Sequence, residues 1–212
     1  MAMKQIKIGT ATLIHGDCEE FMKDLPDKSF DLAVVDPPYG IGDALVAGTW
    51  SVKYQKKGVS WDVAPNKEYF DGLVRLSENR IIWGGNYFSN FIDGSRCCIA
   101  WVKPNMSGMH TMSDFELALT SFDKNSKVIN LTSQVDEIRM HVTQKPVKLY
   151  EWIYSNYAKP GQTILDTHGG SMSSVIAALN MGFEITCIEK DEDYFNAAVE
   201  RVIKSQQQQK LF

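Results

Sequence analysis

The sequence predicts a single doubly wound α/β domain with a mostly parallel sheet, on three grounds. Apolar runs of strand length alternate with segments of helical periodicity along nearly the whole chain. Two of those runs, Phe30–Val35 and Thr163–Asp166, open directly into turns rich in proline or glycine. Neither an internal repeat nor a domain linker breaks the pattern, and 212 residues with 44% hydrophobic content are enough for one ordinary core.

Taken in order, residues 4–16 read as two short strands around Gly9, ending at Gly16-Asp17. Asp17 can cap a helix over Cys18–Asp24, with Glu19 and Glu20 favourably placed in its first turn. Leu25-Pro26-Asp27 ends that helix and the Phe30–Val35 strand follows, a strand–helix–strand unit of the parallel kind. Residues 40–66 are irregular and long for a loop, which usually signals function. A helix over roughly 67–78 precedes strands at Arg80–Trp83 and Arg96–Val102, and Asp114–Phe122 alternates as a strand paired with one near Val128–Leu131. Residues 147–157 place Leu149, Trp152, Ile153 and Tyr157 on one helical face. A strand at Thr163–Asp166, a helix after Gly170 that buries Met172 and Val175, a strand at Glu184–Glu189 and a final helix complete the domain. Residues 205–212, with their glutamine run, read as a flexible tail.

Composition narrows the function classes. No apolar stretch approaches the ~20 residues of a membrane span, and the N-terminus lacks a signal-peptide core. The four cysteines form no CxxC pair, so a reduced, cytoplasmic protein without a metal site is expected. A net charge of −4 argues against strong nonspecific DNA binding but leaves room for local basic patches. Lys53, Lys56 and Lys57 beside Tyr54 form one such patch, and Arg139, Lys145 and Lys148 another.

Asp36-Pro37-Pro38-Tyr39 is the most informative turn. Two prolines forbid a helix and a further ladder, so the chain leaves the sheet as a stiff, extended corner. A carboxylate, two carbonyls and an aromatic ring then stand at the carboxyl end of a strand, where open α/β sheets bind ligands. In the second turn, Asp166-Thr167-His168-Gly169-Gly170-Ser171, the strand runs through glycines into a helix, and Glu189 ends the following strand 23 residues after Asp166. That spacing lets an acidic side chain reach a ribose hydroxyl. An NAD-type reading is weaker, because G-x-G-x-x-G is absent.

With these motifs the chain resembles, across nearly its whole length, the DNA amino-methyltransferases of the permuted β type. In that family the DPPY half comes first and the S-adenosylmethionine half last, on a Rossmann-like sheet. The resemblance implies that Asp36 and the Pro37 carbonyl accept hydrogens from the amine of a base and that Pro38 stiffens the corner. Tyr39 would stack on the base after its rotation out of the helix, as any enzyme working on a duplex base requires. Gly16-Asp17-Cys18 matches a segment that contacts the cofactor's adenine. Trp83-Gly84-Gly85-Asn86-Tyr87-Phe88 resembles one lining the base pocket, which implicates Gly85, Asn86 and Tyr87, with Lys53, Lys56 and Lys57 toward DNA. His141-Val142-Thr143-Gln144-Lys145-Pro146 resembles the H-x-T-Q-K-P motif beside the cofactor. The implied cofactor set is Asp17, Cys18, Asp36, His141, Thr143, Lys145, Asp166, His168, Gly170, Ser171, Glu189 and Lys190.

The chain departs from the family's F-x-G-x-G turn at His168 and Met172, which stand where phenylalanine and the third glycine are typical. Met172 fits core packing, and His168 suits either cofactor stacking or a polar turn, of which the turn is preferred. The resemblance implies residues 1–204 as the methyltransferase domain, with a catalytic half at 1–102, a short target-recognition insert at 103–140 and the cofactor half at 141–204. An aspartate in the first DPPY position points to adenine over cytosine, with DNA as partner, a short or relaxed target and a homodimer assisting recognition. Methylation of cytosine's amine, a catalytically silent DNA-binding relative, and methylation of RNA or a protein amide are the alternatives.

Overall fold

The computed structural model describes residues 3–42, 61–103, 113–132 and 144–209. Nine strands form one sheet: β1 (Lys4–Ile8), β2 (Ala11–His15), β3 (Phe30–Val35), β4 (Ser77–Trp83), β5 (Cys98–Val102), β6 (Phe115–Thr120), β7 (Lys127–Asn130), β8 (Thr163–Asp166) and β9 (Glu184–Glu189). Their spatial order is β1-β2-β9-β8-β3-β4-β6-β5-β7. The central five, β2, β9, β8, β3 and β4, are mutually parallel.

Among the described residues, five α-helices cover the sheet: α1 (Cys18–Lys23), α2 (Lys67–Leu76), α3 (Val147–Tyr157), α4 (Ser173–Met181) and α5 (Glu192–Gln209). Alternation along β3 divides the core, because successive side chains of a strand point to opposite faces. Ala33 and Val35 pack with Met22, Tyr69, Phe70 and Leu73 of α1 and α2. Leu32 and Val34 pack with Leu149, Ile153, Val175 and Phe195 of α3, α4 and α5. Helices on both faces protect the parallel strands, which is what such sheets need.

The pairing of β3 with β8 matters most for function. Leu32 lies opposite Ile164 and Ala33 opposite Leu165. The two turns singled out from the sequence, about 130 positions apart, therefore leave one edge of the sheet side by side. The local reading of β2–α1–β3 as a parallel unit holds, although β9 and β8 lie between its two strands.

Three expectations need correction. The alternating strand β6 pairs with β4 and β5, while β7 pairs in parallel with β5. Partner choice is a long-range matter that alternation cannot settle. For the same reason, much of segment 103–140 is not a separate insert, since β6 and β7 belong to the main sheet. The expected flexible tail is helical through residue 209, because glutamine is a good helix former and Val202, fully buried, anchors the preceding turn.

Candidate active site

Asp36 stands at the end of β3 with both carboxylate oxygens engaged. The Tyr39 hydroxyl donates to Oδ1 at 2.8 Å, and the Lys145 ammonium donates to Oδ2 at 2.5 Å. Lys145 lies just before α3, its side chain only 3% exposed, and also pairs with Glu116 Oε2 of β6 at 3.0 Å. The other Glu116 oxygen accepts from Lys103 at the end of β5. Burial pushes the Asp36 carboxyl above the usual aspartate range, and Lys145 only partly offsets this. Burial would depress the Lys145 amine, but Asp36 and Glu116 outweigh it and the ammonium is retained. Burial and the neighbouring carboxylates hold the Tyr39 phenol well above its ordinary value, so it acts as a neutral donor.

Beside this corner lies a cavity of about 240 Å³ lined by Tyr39, Gly84, Asn86, Tyr87, Phe115 and Glu116, among others. It is smaller than the ~300–1,000 Å³ of a drug-sized pocket and suits a flat ring. Tyr87, on a single 3-10 turn (Gly85–Tyr87), stacks on Tyr39 with ring centroids 4.9 Å apart and 17° between planes. Phe88 meets Tyr39 edge-on from the core.

The glycines of this segment have separate duties. Gly84 adopts φ +67, and a Cβ there would fall 2.2 Å from Tyr39 Cε1. At Gly85 a Cβ would meet Leu119 Cγ at 2.5 Å. Gly85 therefore allows close packing against β6 and does not line the cavity, whereas Asn86 and Tyr87 do. Gly84→Ala is expected to drive the Tyr39 ring from its seat. Since base stacking is worth about 1–3 kcal/mol, the KM for the DNA substrate that the resemblance implies should rise roughly tenfold or more with the sheet intact.

The second turn sits on the neighbouring strand end. Asp166 is fully enclosed, accepting from Ser174 Oγ and, at 3.1 Å, from the His168 backbone N–H, while burial lifts its carboxyl to about 7. Glu189 ends β9 and accepts from the Gly170 N–H at 2.7 Å and the Asp191 N–H at 2.8 Å. At Gly170 the backbone has φ +49, and an added Cβ would meet open space. Asp17 caps α1 by accepting from the Glu19 N–H at 2.9 Å, and it pairs with Lys190 at 2.8 Å. Cys18 lies 4.0 Å from His168 Nε2, and burial pushes its thiol up to about 12. Ser171 is buried, its carbonyl held by Arg201 of α5. Asp17, Asp166 and Glu189 thus stand at the carboxyl ends of three adjacent parallel strands, an acidic cluster around an open glycine.

His168 belongs to a polar turn. Its Nδ1 lies 2.9 Å from Thr167 Oγ1 and its ring packs edge-on against Tyr69 of α2. Burial lowers its pKa to about 4. The unfolded imidazole binds a proton near pH 6.5, so between these values the unfolded state holds more protons and acid weakens the fold. Asp166, raised by burial, has the opposite slope, but a comparison of variants isolates His168. His168→Phe is expected to gain stability over the parent as pH falls from 6.5 toward 4, by on the order of 3 kcal/mol, measured by thermal melts across that range.

Met172 packs in the core as expected, but from the position just before α4. It precedes the helix at φ +55 with its side chain fully buried. Such a backbone normally favours glycine and costs other residues roughly 1–2 kcal/mol, so a glycine preference at this position has a direct backbone cause. Lys145 joins Asp36 and Glu116, because an ammonium this buried needs carboxylate partners. Glu116 and Lys103 were not foreseen. The available signal was a lone acid in the apolar alternation of β6 and a lysine closing β5. His141, Thr143, Lys53, Lys56, Lys57, Tyr54 and Arg139 lie outside the described residues.

Residues 101–200 match the model of the N6/N4 DNA methylase family, whose members are described as DNA methylases. The matched stretch is 100 of the chain's 212 residues. The chain is 23% identical, over an alignment of 244 positions, to the DNA adenine methyltransferase YhdJ of Escherichia coli K12, covering 90% of this chain and 82% of that one. Its fold is that of the M1.HpyAVI–SAM complex, with a TM-score of 0.64, 21% identity and coverage of 91% and 98% of the two chains. The cytosine-N4-specific PvuII DNA methyltransferase is similar in fold at a TM-score of 0.60 and 14% identity, covering 92% of this chain and 90% of that enzyme.

Proposed function

We propose that this protein transfers a methyl group from S-adenosylmethionine to the exocyclic N6 amine of an adenine rotated out of duplex DNA. The observation that carries the reading is the adjacency of β3 and β8, which sets the Asp36 corner and its ring-sized cavity beside the strand ends that carry the acidic cluster. The similarity to an adenine methyltransferase supports adenine as the base.

The cluster fits the methyl donor by its chemistry. Asp17, Asp166 and Glu189 are acidic, the donor carries cationic sulfonium and ammonium groups, and Gly170 leaves the backbone open. Asp17, Cys18, Asp166, His168, Gly170, Ser171, Glu189 and Lys190 would hold it. When bound, the donor supplies an electrophilic methyl carbon, and the remaining work falls to the protein. Asp36 and the Pro37 carbonyl accept the amine's hydrogens, which draws nitrogen toward a tetrahedral state and localises its lone pair. Without a base, the Tyr39 hydroxyl fills one Asp36 acceptor site and Tyr87 covers one ring face. An entering base exchanges both contacts for its own amine and its own stacking. As nitrogen takes up the methyl group it holds one proton too many, and Asp36 is the nearest acceptor.

Incubation with radiolabelled donor and unmethylated DNA, followed by digestion to nucleosides, tests this reading. Label in N6-methyldeoxyadenosine is expected. Label in N4-methyldeoxycytidine would overturn the base assignment, and unlabelled DNA would overturn the activity.

A further inference from the structure

Four charged side chains from four separate segments alternate in sign at the catalytic corner: Lys103, Glu116, Lys145 and Asp36. Lys103 donates to Glu116 Oε1, Glu116 Oε2 lies 3.0 Å from Lys145 Nζ, and Lys145 Nζ lies 2.5 Å from Asp36 Oδ2. All four are largely withdrawn from solvent, with side-chain exposures of 11%, 22%, 3% and 18%. Solvent screening is weak in such surroundings and each neighbour is felt strongly.

We propose that Glu116 is a positioning residue that sets the proton affinity of Asp36 by sharing Lys145 with it, and that Lys103 fixes the size of that share. The inference rests on the reading of Asp36 as acceptor of the amine's hydrogens and deepens it. Asp36 has two requirements that pull in opposite directions. It must be ionised to accept the amine's hydrogens, and basic enough to take the proton released when the N–C bond has formed and the S–C bond has broken, with its electron pair left on sulfur. A lysine devoted to Asp36 alone would secure ionisation and leave a feeble base. Glu116 draws part of the ammonium's field away and restores basicity. Against the effect of burial, Lys145 and Lys103 keep Glu116 ionised, with a pKa of about 2.

Among the described residues, the other titratable groups that interact with Asp36 include Tyr39 on its own turn, Tyr69 of α2, Tyr150 of α3 and Asp166 at the end of β8. Burial holds the three phenols neutral throughout the accessible pH range. Asp166 titrates at about 7 and is unchanged by the substitutions below.

The alternation makes the test a matter of sign. The Asp36 carboxyl is titrated by carbon-13 NMR in the full chain, without DNA or donor, its resonance assigned by loss in Asp36→Asn. Glu116→Gln should lower the Asp36 midpoint by about one pH unit, because Lys145 then serves Asp36 alone. Lys103→Met should raise it by less, because an unshared Glu116 takes more of Lys145. The double variant, which restores charge balance and guards against a folding failure in Lys103→Met, should show the Glu116→Gln value. The acid limb of kcat should move with each midpoint while the KM for the donor stays constant. Midpoints that fail to move, or that move together in both single variants, would overturn the proposal. A chain that titrates as described but leaves DNA unmethylated would instead sink the proposed function.

Discussion

Asp36→Ala is expected to stop the proposed methyl transfer, by a factor of at least about a thousand, and to leave the sheet folded. The factor follows from the role of the carboxylate. A preorganised group aimed at the reacting atom is worth about 10²–10³ in kcat, and in the proposed reaction Asp36 is also the proton acceptor. The fold survives because Lys145 keeps Glu116 as a partner when Asp36 is gone. The ammonium is therefore not stranded, and the loss is about that of one charge-assisted hydrogen bond, roughly 1.5–3 kcal/mol. Asp36→Asn keeps the shape and one acceptor oxygen but removes the charge, and should also fall far below the parent. Single-turnover rates with donor-saturated enzyme, beside thermal melts of both variants, measure this. A variant that is folded and retains a tenth of parental turnover would remove Asp36 from its role.

Lys145→Met should have the largest effect on stability of any single change at the site. The substitution leaves the Asp36 carboxylate without its cation and takes one of two from Glu116. Breaking a buried ion pair on one side costs about 3–5 kcal/mol, because the remaining charge has lost both water and partner. In a domain of this size that lowers Tm by roughly 10 °C. Activity should fall as well, because Asp36, already lifted by burial, then loses the cation that favours its ionised form, holds its proton more tightly and accepts the amine less well. Part of the rate should return as pH rises and the carboxyl ionises again. A pH series of kcat with melts at each pH separates this from simple unfolding. A variant as stable as the parent would show that the pairs described here contribute little.

Much of the fold was legible because its parallel strands are nearly continuous apolar runs bounded by strong punctuation. Phe30–Val35 between Ser29 and the prolines, and Glu184–Glu189 after Gly182, coincide with the observed strands. α1 was signalled by Asp17 and the acids behind it, and the cap forms as the sequence suggests. Strand partners were a different matter. Nothing local to β7 distinguishes β5 from β6 as its neighbour, because both offer apolar edges.

The site divides the same way. Asp36, Tyr39, Gly170 and Glu189 are tied to turns whose backbone chemistry can be read from residue types. The companions of Asp36 are tied to topology. Lys145 and Glu116 come from segments 109 and 80 residues away, and only the sheet order brings them to one corner. A lysine in a polar hexapeptide gives no sign that it will be 3% exposed. Hydrophobic spacing reports the burial of Met172 without reporting its φ.

The central claim is that the amine-gripping corner after β3 and the donor's acidic cluster after β8 and β9 form one site. A crystal structure with S-adenosylmethionine soaked in tests it most directly. Density for the donor between Glu189 and Gly170 on one side and Asp36 on the other is the expected result. Density lodged elsewhere, with the space between those residues clear, would contradict it.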